Sequence, residues 1–309
     1  MQWISPRLKE KWRFFARRLN LTSVIVAWWR KCWHNIGLRK ATRSKSSTCA
    51  PPSQCLAKNE PAAAMRDLIL SDITLMGSGY CVIGLERVAQ DAFRSVRPLP
   101  PKSYAWPATF PHGRGSMVRF IPAPTSASPP HLEDQNTHGL LSGGGCAGEV
   151  ELVDMLHKAE VSADLEKLFG CELHTDTHGG NAWVDPGSAT RSICGCQFKN
   201  IRFRVFQDAG EVTLRARLVL QSGETLNSLP VVDREWRRFL SDLIHRSSES
   251  GVSLAPEGFL NRLIWGKVMP APYCFARIGL ARGKQMEGKC WLMLDSLFPQ
   301  PNAGWLSGP

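Results

Sequence analysis

The residues of this chain best suited to chemistry stand in short, separate groups. His131, Glu133 and Asp134 follow Pro129-Pro130. An imidazole and two carboxylates on a proline-stiffened approach can hold a divalent ion, position a water, or accept hydrogen bonds from a base edge. The same run also describes an ordinary turn and cap. Cys171, His174 and His178, with Cys194 and Cys196 downstream, offer thiols and imidazoles of the kind zinc takes. The histidine spacing suits zinc, but one residue between the cysteines is tight, so buried thiols and loop histidines are the plainer reading and no metal is assigned. Arg94 and Arg97 lead into a proline-rich loop, where guanidinium groups can meet phosphates. Three apart on a regular strand they point to opposite faces, so at most one faces a shared ligand. Arg277 and Arg282 bracket Ile278-Gly279-Leu280, where a missing side chain permits close backbone approach. Trp291, on a strand, can stack a base, whereas Trp236 fits the core stripe of a helix.

The elements that must position these groups are mostly strands. Short apolar runs separated by turns are expected at Leu68–Ile73, Tyr80–Leu85, Phe93–Pro98 and Met117–Pro122, then at Phe198–Phe206, Val212–Leu220, Tyr273–Leu280 and Cys290–Leu294. Arg202 and Arg204 share one strand face, as do Arg215 and Arg217. A helix is expected from Glu149 to about Phe169, with Val150, Val153, Leu156, Val161, Leu165 and Leu168 as its buried stripe. A second runs from Asp233, as cap, through Trp236, Phe239, Leu240, Leu243 and Ile244. Gly143-Gly144-Gly145 reads as a flexible opening to the middle segment. Few strand–helix–strand units occur, so the fold class is mainly β with α (α+β), and small barrels are favoured over a parallel sheet.

Charge divides the chain. Of its +11 net charge, all falls in residues 1–64, which hold 13 Lys/Arg against 2 Asp/Glu, while residues 65–309 hold 25 of each. Within that neutral part, 65–132 is mildly basic, 133–194 acidic, and 195–309 basic again, with Arg outnumbering Lys. These boundaries define the expected organisation: a basic amphipathic helix and linker over 1–64, a first β lobe over 65–132, an acidic helical or loop connector over 133–194, and a second β lobe with a helix over 195–309. Met65 opens the patterned region and is a second candidate start of translation. Ten irregularly spaced cysteines do not form a secreted disulfide framework, which suggests a reducing, cytoplasmic setting. No stretch approaches the ~20 apolar residues of a transmembrane helix.

Several segments together resemble the bacterial dual OB-containing domain: Gly79-Tyr80-Cys81-Val82-Ile83-Gly84, Phe93-Arg94-Ser95-Val96-Arg97-Pro98-Leu99, and Pro129-Pro130-His131-Leu132-Glu133-Asp134. In the second half they are Leu229-Pro230-Val231-Val232-Asp233-Arg234-Glu235-Trp236, Ala276-Arg277-Ile278-Gly279-Leu280-Ala281-Arg282 and Cys290-Trp291-Leu292. The resemblance spans roughly residues 65 to 298. It implies two OB-like β-barrels packed with a few helices, and a role connected with nucleic acid.

These readings favour a binding protein over an enzyme. No Walker loop, dinucleotide fingerprint, Gly-x-Ser-x-Gly elbow or His-Glu-x-x-His is found, and no cofactor is called for. The expected partner is nucleic acid, single-stranded or RNA, and the expected contacts are Arg94, Arg97, His131, Glu133, Asp134, Arg277, Arg282 and Trp291. Two alternatives stay open: a metal-assisted nucleic-acid-modifying or hydrolytic enzyme centred on His131, Glu133 and Asp134, and a membrane-surface or protein-interaction adaptor working through the basic amino-terminal segment.

Overall fold

Alternating apolar side chains build a first barrel from residues whose inward positions are Leu68, Leu70, Ile73, Val82, Val96, Val118 and Phe120. Its long first strand, β1 (Arg66–Met76), serves two neighbours. Arg66–Ile69 pair with β5 (Ser116–Pro122), and Ile69–Met76 pair with β2 (Gly79–Ala89), with a bulge between Leu70 and Asp72 where the strand passes from one to the other. β2 pairs with β3 (Ala92–Leu99), which runs parallel to β6 (Asp134–Cys146), and β6 returns antiparallel to β5. The order β1-β2-β3-β6-β5-β1 closes five strands, and the short β4 (Trp106–Pro107) lies along β2. The computed structural model describes residues 64–159, 161–162, 168–175, 180–208, 211–238, 241, 274–282 and 288–298. The amino-terminal basic helix and linker expected over 1–64 lie outside them, save Ala64. Residues 61–306 form one compact unit.

The fifth strand departs from the sequence expectation. The first barrel does not end at Leu132 but runs on to Cys146, and the three glycines are strand residues. A Cβ at Gly143 would come 2.8 Å from the Met117 carbonyl oxygen, and one at Gly145 would come 2.6 Å from the Met117 sulfur. Close approach to β5, and not flexibility, is what Gly143 and Gly145 permit.

A second sheet repeats this plan. In β10 (Ile193–Asp208), Ile193–Phe198 pair with β13 (Cys274–Leu280) and Phe198–Asp208 pair with β11 (Glu211–Leu220), again with a bulge at the change of partner. β11 pairs with β12 (Thr225–Pro230) and β13 with β14 (Cys290–Phe298). The parallel closure between β12 and β14 shrinks to one bridge, Val231 with Leu294, supported by Val232 N donating to Leu294 O at 3.0 Å. The result is a half-barrel of the same strand order, β10-β11-β12-β14-β13-β10, extended at its edges by β7 (Val161–Ser162), β8 (His174–Thr175) and β9 (Ala182–Val184). Cys194, Cys196, Phe198, Ile201, Phe203, Leu214, Leu218 and Leu292 are buried within it.

The helix α1 (Glu149–Ala159) ends ten residues before the expected limit, because Val161 and Ser162 pair with Gly195 and Cys196 in the second sheet. Leu165 lies outside the described residues. Leu152, Val153, Met155 and Leu156 make the buried stripe, and Val150 is 56% exposed. That stripe packs against Leu85 and Phe93 of the first barrel and Phe275 and Phe298 of the second sheet, so one apolar cluster spans both. Asp233 does cap a helix: its Oδ1 accepts from Glu235 N at 2.9 Å and Trp236 N at 3.1 Å. Residues 234–238 are helical; Phe239, Leu240, Leu243 and Ile244 lie outside the described residues. Among the described residues no helix is long and apolar enough to cross a membrane.

Candidate functional site

Strand alternation on β3 sends Arg94 outward and Arg97 into the joint between barrel and half-barrel. Arg94 Nε donates to Glu86 at 2.7 Å on the exposed side. Arg97 is 4% exposed. Its Nη1 donates to Asp134 Oδ1 at 2.8 Å and to His131 Nδ1 at 3.0 Å, and its Nη2 donates to Ser192 Oγ at 2.8 Å. Since arginine can only donate, Nδ1 of His131 is the accepting nitrogen and its ring is neutral. Burial, with the Arg97 and Arg282 charges beside it, pushes the His131 pKa down to about 3. Arg282 Nη2 donates to Asp134 Oδ2 at 2.8 Å and lies over the Tyr104 ring. Glu133 accepts from Ser192 N at 2.8 Å and Ser192 Oγ at 2.9 Å.

One strand further in, Arg277 is fully buried. Its Nη2 donates to Ser95 Oγ at 2.8 Å and stands 3.5 Å from Asp72 Oδ2. Asp295, also buried, lies so close to Gly279 that a Cβ there would overlap its carboxylate. Burial, reinforced by like charge on Asp72, pushes the Asp295 carboxyl up to about 8. At the far end Arg114 is bound to Asp233 and donates to Leu297 O at 3.2 Å, with Phe298 against its guanidinium. Backbone hydrogen bonds complete the joint: Leu75 N donates to Val232 O at 2.8 Å.

Five of the residues singled out from sequence, Arg97, His131, Glu133, Asp134 and Arg282, are therefore linked through one another and Ser192, with Arg277 held beside them on Ser95 and Asp72, in a polar layer between the barrel and the half-barrel. Each carboxylate oxygen of Glu133 and Asp134 already accepts a hydrogen bond from Arg97, Arg282 or Ser192. A divalent ion between His131, Glu133 and Asp134 would compete with Arg97 and Ser192 for the same oxygens and share the space with a buried cation, and this geometry favours docking over metal-assisted chemistry. Sequence reasoning missed Asp72, Ser95, Arg114, Ser192, Asp233 as an ion-pair partner, and Asp295.

Trp291 lies apart, half-buried against Trp183 at 5.1 Å between ring centroids, with the Lys289 ammonium over both rings. Among the described residues the cysteine and histidine group is dispersed. Cys194 and Cys196 are buried, His174 Nε2 pairs with Asp185 at 3.2 Å, and His178 lies outside the described residues. Among the described residues no three metal-ligating side chains cluster.

The exposed counterpart of the joint lies on β10 and β11. Arg202 is the cross-strand partner of Arg217, and Arg204 of Arg215. Ile201, Phe203, Leu214, Ala216 and Leu218 are buried between them, so the four arginines share the outer face. Arg215 donates to Ser228 O at 2.9 Å. Arg202, Arg204 and Arg217 have no carboxylate within ion-pair distance among the described residues. Like charges placed directly opposite across strands destabilise a sheet, so this quartet is held against its own repulsion by the apolar face beneath it.

No family model, curated protein or solved structure matches the chain.

Proposed function

We propose that this is a nucleic-acid-binding protein of two OB-like barrels, which grips its ligand on the outer face of β10 and β11. The repeated five-strand order, with its bulged first strand and parallel closure, supports reading both halves as OB-like. The observation that carries the proposal is the arginine quartet. In the first barrel the outer face of β1 and β2 bears Asp72 and Thr74 and is covered in the joint. In the second the equivalent face is open and cationic. One copy of the same surface docks and the other is free to hold an anion. Phosphate is the anion that a fork of planar guanidinium groups fits best.

The test is fluorescence anisotropy of the full chain against labelled single- and double-stranded DNA and RNA across 50–200 mM salt (about a fourfold range), comparing wild type with the triple variant Arg202→Ala, Arg204→Ala, Arg217→Ala. The basic amino-terminal segment contributes equally to both proteins, so their difference reads the face. Three lost phosphate contacts lower the slope of log affinity against log salt by about 2 for a single strand. An unchanged slope and affinity in the triple variant overturns the proposal.

A further inference from the structure

Phe206 continues the row that Arg202 and Arg204 begin. It is 46% exposed, on the same outer face, with Thr213 as its cross-strand partner. An aromatic ring held half in solvent beside free arginines leaves apolar surface wet with no packing gain, which a stacked base would recover. Successive outward residues of a strand lie about 6.6–6.8 Å apart and neighbouring strands about 4.8 Å apart. Arginine arms from two strands can therefore follow an extended backbone while Phe206 receives a base from it.

We infer, resting on the function proposed above, that the ligand of this face is a single strand with its bases unstacked, and that Phe206 is its stacking platform. Base stacking weighs against a duplex. Paired bases keep their faces stacked inside the helix, where Phe206 would find only edges and phosphate. An acidic peptide would satisfy the arginines but offer no flat π surface to Phe206.

The experiment titrates the full chain with a labelled single-stranded oligonucleotide, the duplex of the same sequence, and poly-glutamate of similar charge, for wild type, Phe206→Ala and Phe206→Leu. Phe206→Leu retains apolar area without the ring, and thermal midpoints matching wild type establish that both variants fold. The expected result is single-strand binding weakened about 5- to 150-fold by Phe206→Ala, with less recovery by Phe206→Leu than its size alone would give, an unchanged salt slope, and weaker binding of duplex and poly-glutamate. Equal affinity for single strand and duplex, or for poly-glutamate, with no effect of Phe206→Ala, overturns this inference. If the arginine variant still weakens nucleic-acid binding in that case, the proposed function stands without it; if neither substitution matters, both fall.

Discussion

Replacing Asp295 by asparagine removes a titration that the fold itself creates. The carboxyl sits in the joint, desolvated and close to Asp72, and its pKa stands near 8 where an unfolded aspartate has 3.8. Between those values the folded protein holds a proton that the unfolded chain does not. Stability therefore falls as pH rises, by about 1.4 kcal/mol per unit, and the loss levels off above pH 8. His131 acts with the opposite sign lower down: its ring stays neutral to about pH 3 when folded, so its contribution rises with pH until the unfolded value of 6.5. In the window from about pH 6.5 to 8 His131 has stopped contributing, and there Asp295 should cost the wild type about 1.5–2 kcal/mol. Asparagine matches the protonated carboxyl in shape but has no proton to lose, so Asp295→Asn should already exceed wild type at pH 6.5, and the gap should widen by about 1.5–2 kcal/mol by pH 8. In urea titrations with a denaturant slope of about 3 kcal/mol per molar, the wild-type midpoint falls by about 0.5 M across the window and the variant's stays level. A wild-type midpoint that is flat or rises, or a variant that keeps the fall, refutes the reasoning.

Three further substitutions probe the joint. Arg277→Ala leaves Asp72 beside a void in a buried layer and should destabilise by about 3–5 kcal/mol in urea unfolding, whereas Arg277→Met together with Asp72→Leu should recover most of that loss. Asp233→Ala removes the helix cap and the carboxylate partner of Arg114, a loss of similar size. Asp233→Asn keeps the cap hydrogen bonds and removes the charge, so its own loss measures the ion pair with Arg114 and the difference between the two variants measures the cap. Gly279→Ala forces a methyl onto the Asp295 carboxylate; its destabilisation should shrink when Asp295→Ala is added, and additive effects of the two would refute the contact.

Alternation made most strands legible, and so was the divergence of Arg94 and Arg97, because both depend only on the period of two. The Asp233 cap was legible for the same local reason. What escaped is non-local. β6 carries glycines where alternation would need side chains, and its identity as a strand rests on Met117 across the barrel. The helix ends at Ala159 because Val161 and Ser162 pair with a strand more than thirty residues on (roughly Gly195 and Cys196). The partners of the joint lie 95 residues apart for Arg97 and Ser192 and 182 for Ser95 and Arg277. The arginines of β10 and β11 could be assigned to a face strand by strand, but their meeting across the hairpin depends on register, and a slip of one residue would have separated them.

The charged joint also bears on how the chain survives its own synthesis. Arg114 must wait for Leu297, 183 residues later, to complete its contacts. At ~5–20 residues per second, the first barrel, complete at Cys146, waits about 8–30 s for the last strand of its partner surface, which ends at Phe298. Through that interval Asp72, Arg97 and Arg114 are hydrated, and they keep half of an unfinished interface soluble where an apolar face of equal area would seek other nascent chains. A joint built partly from charge is less stabilising than one built from leucine alone, but it leaves the growing protein with a smaller sticky side.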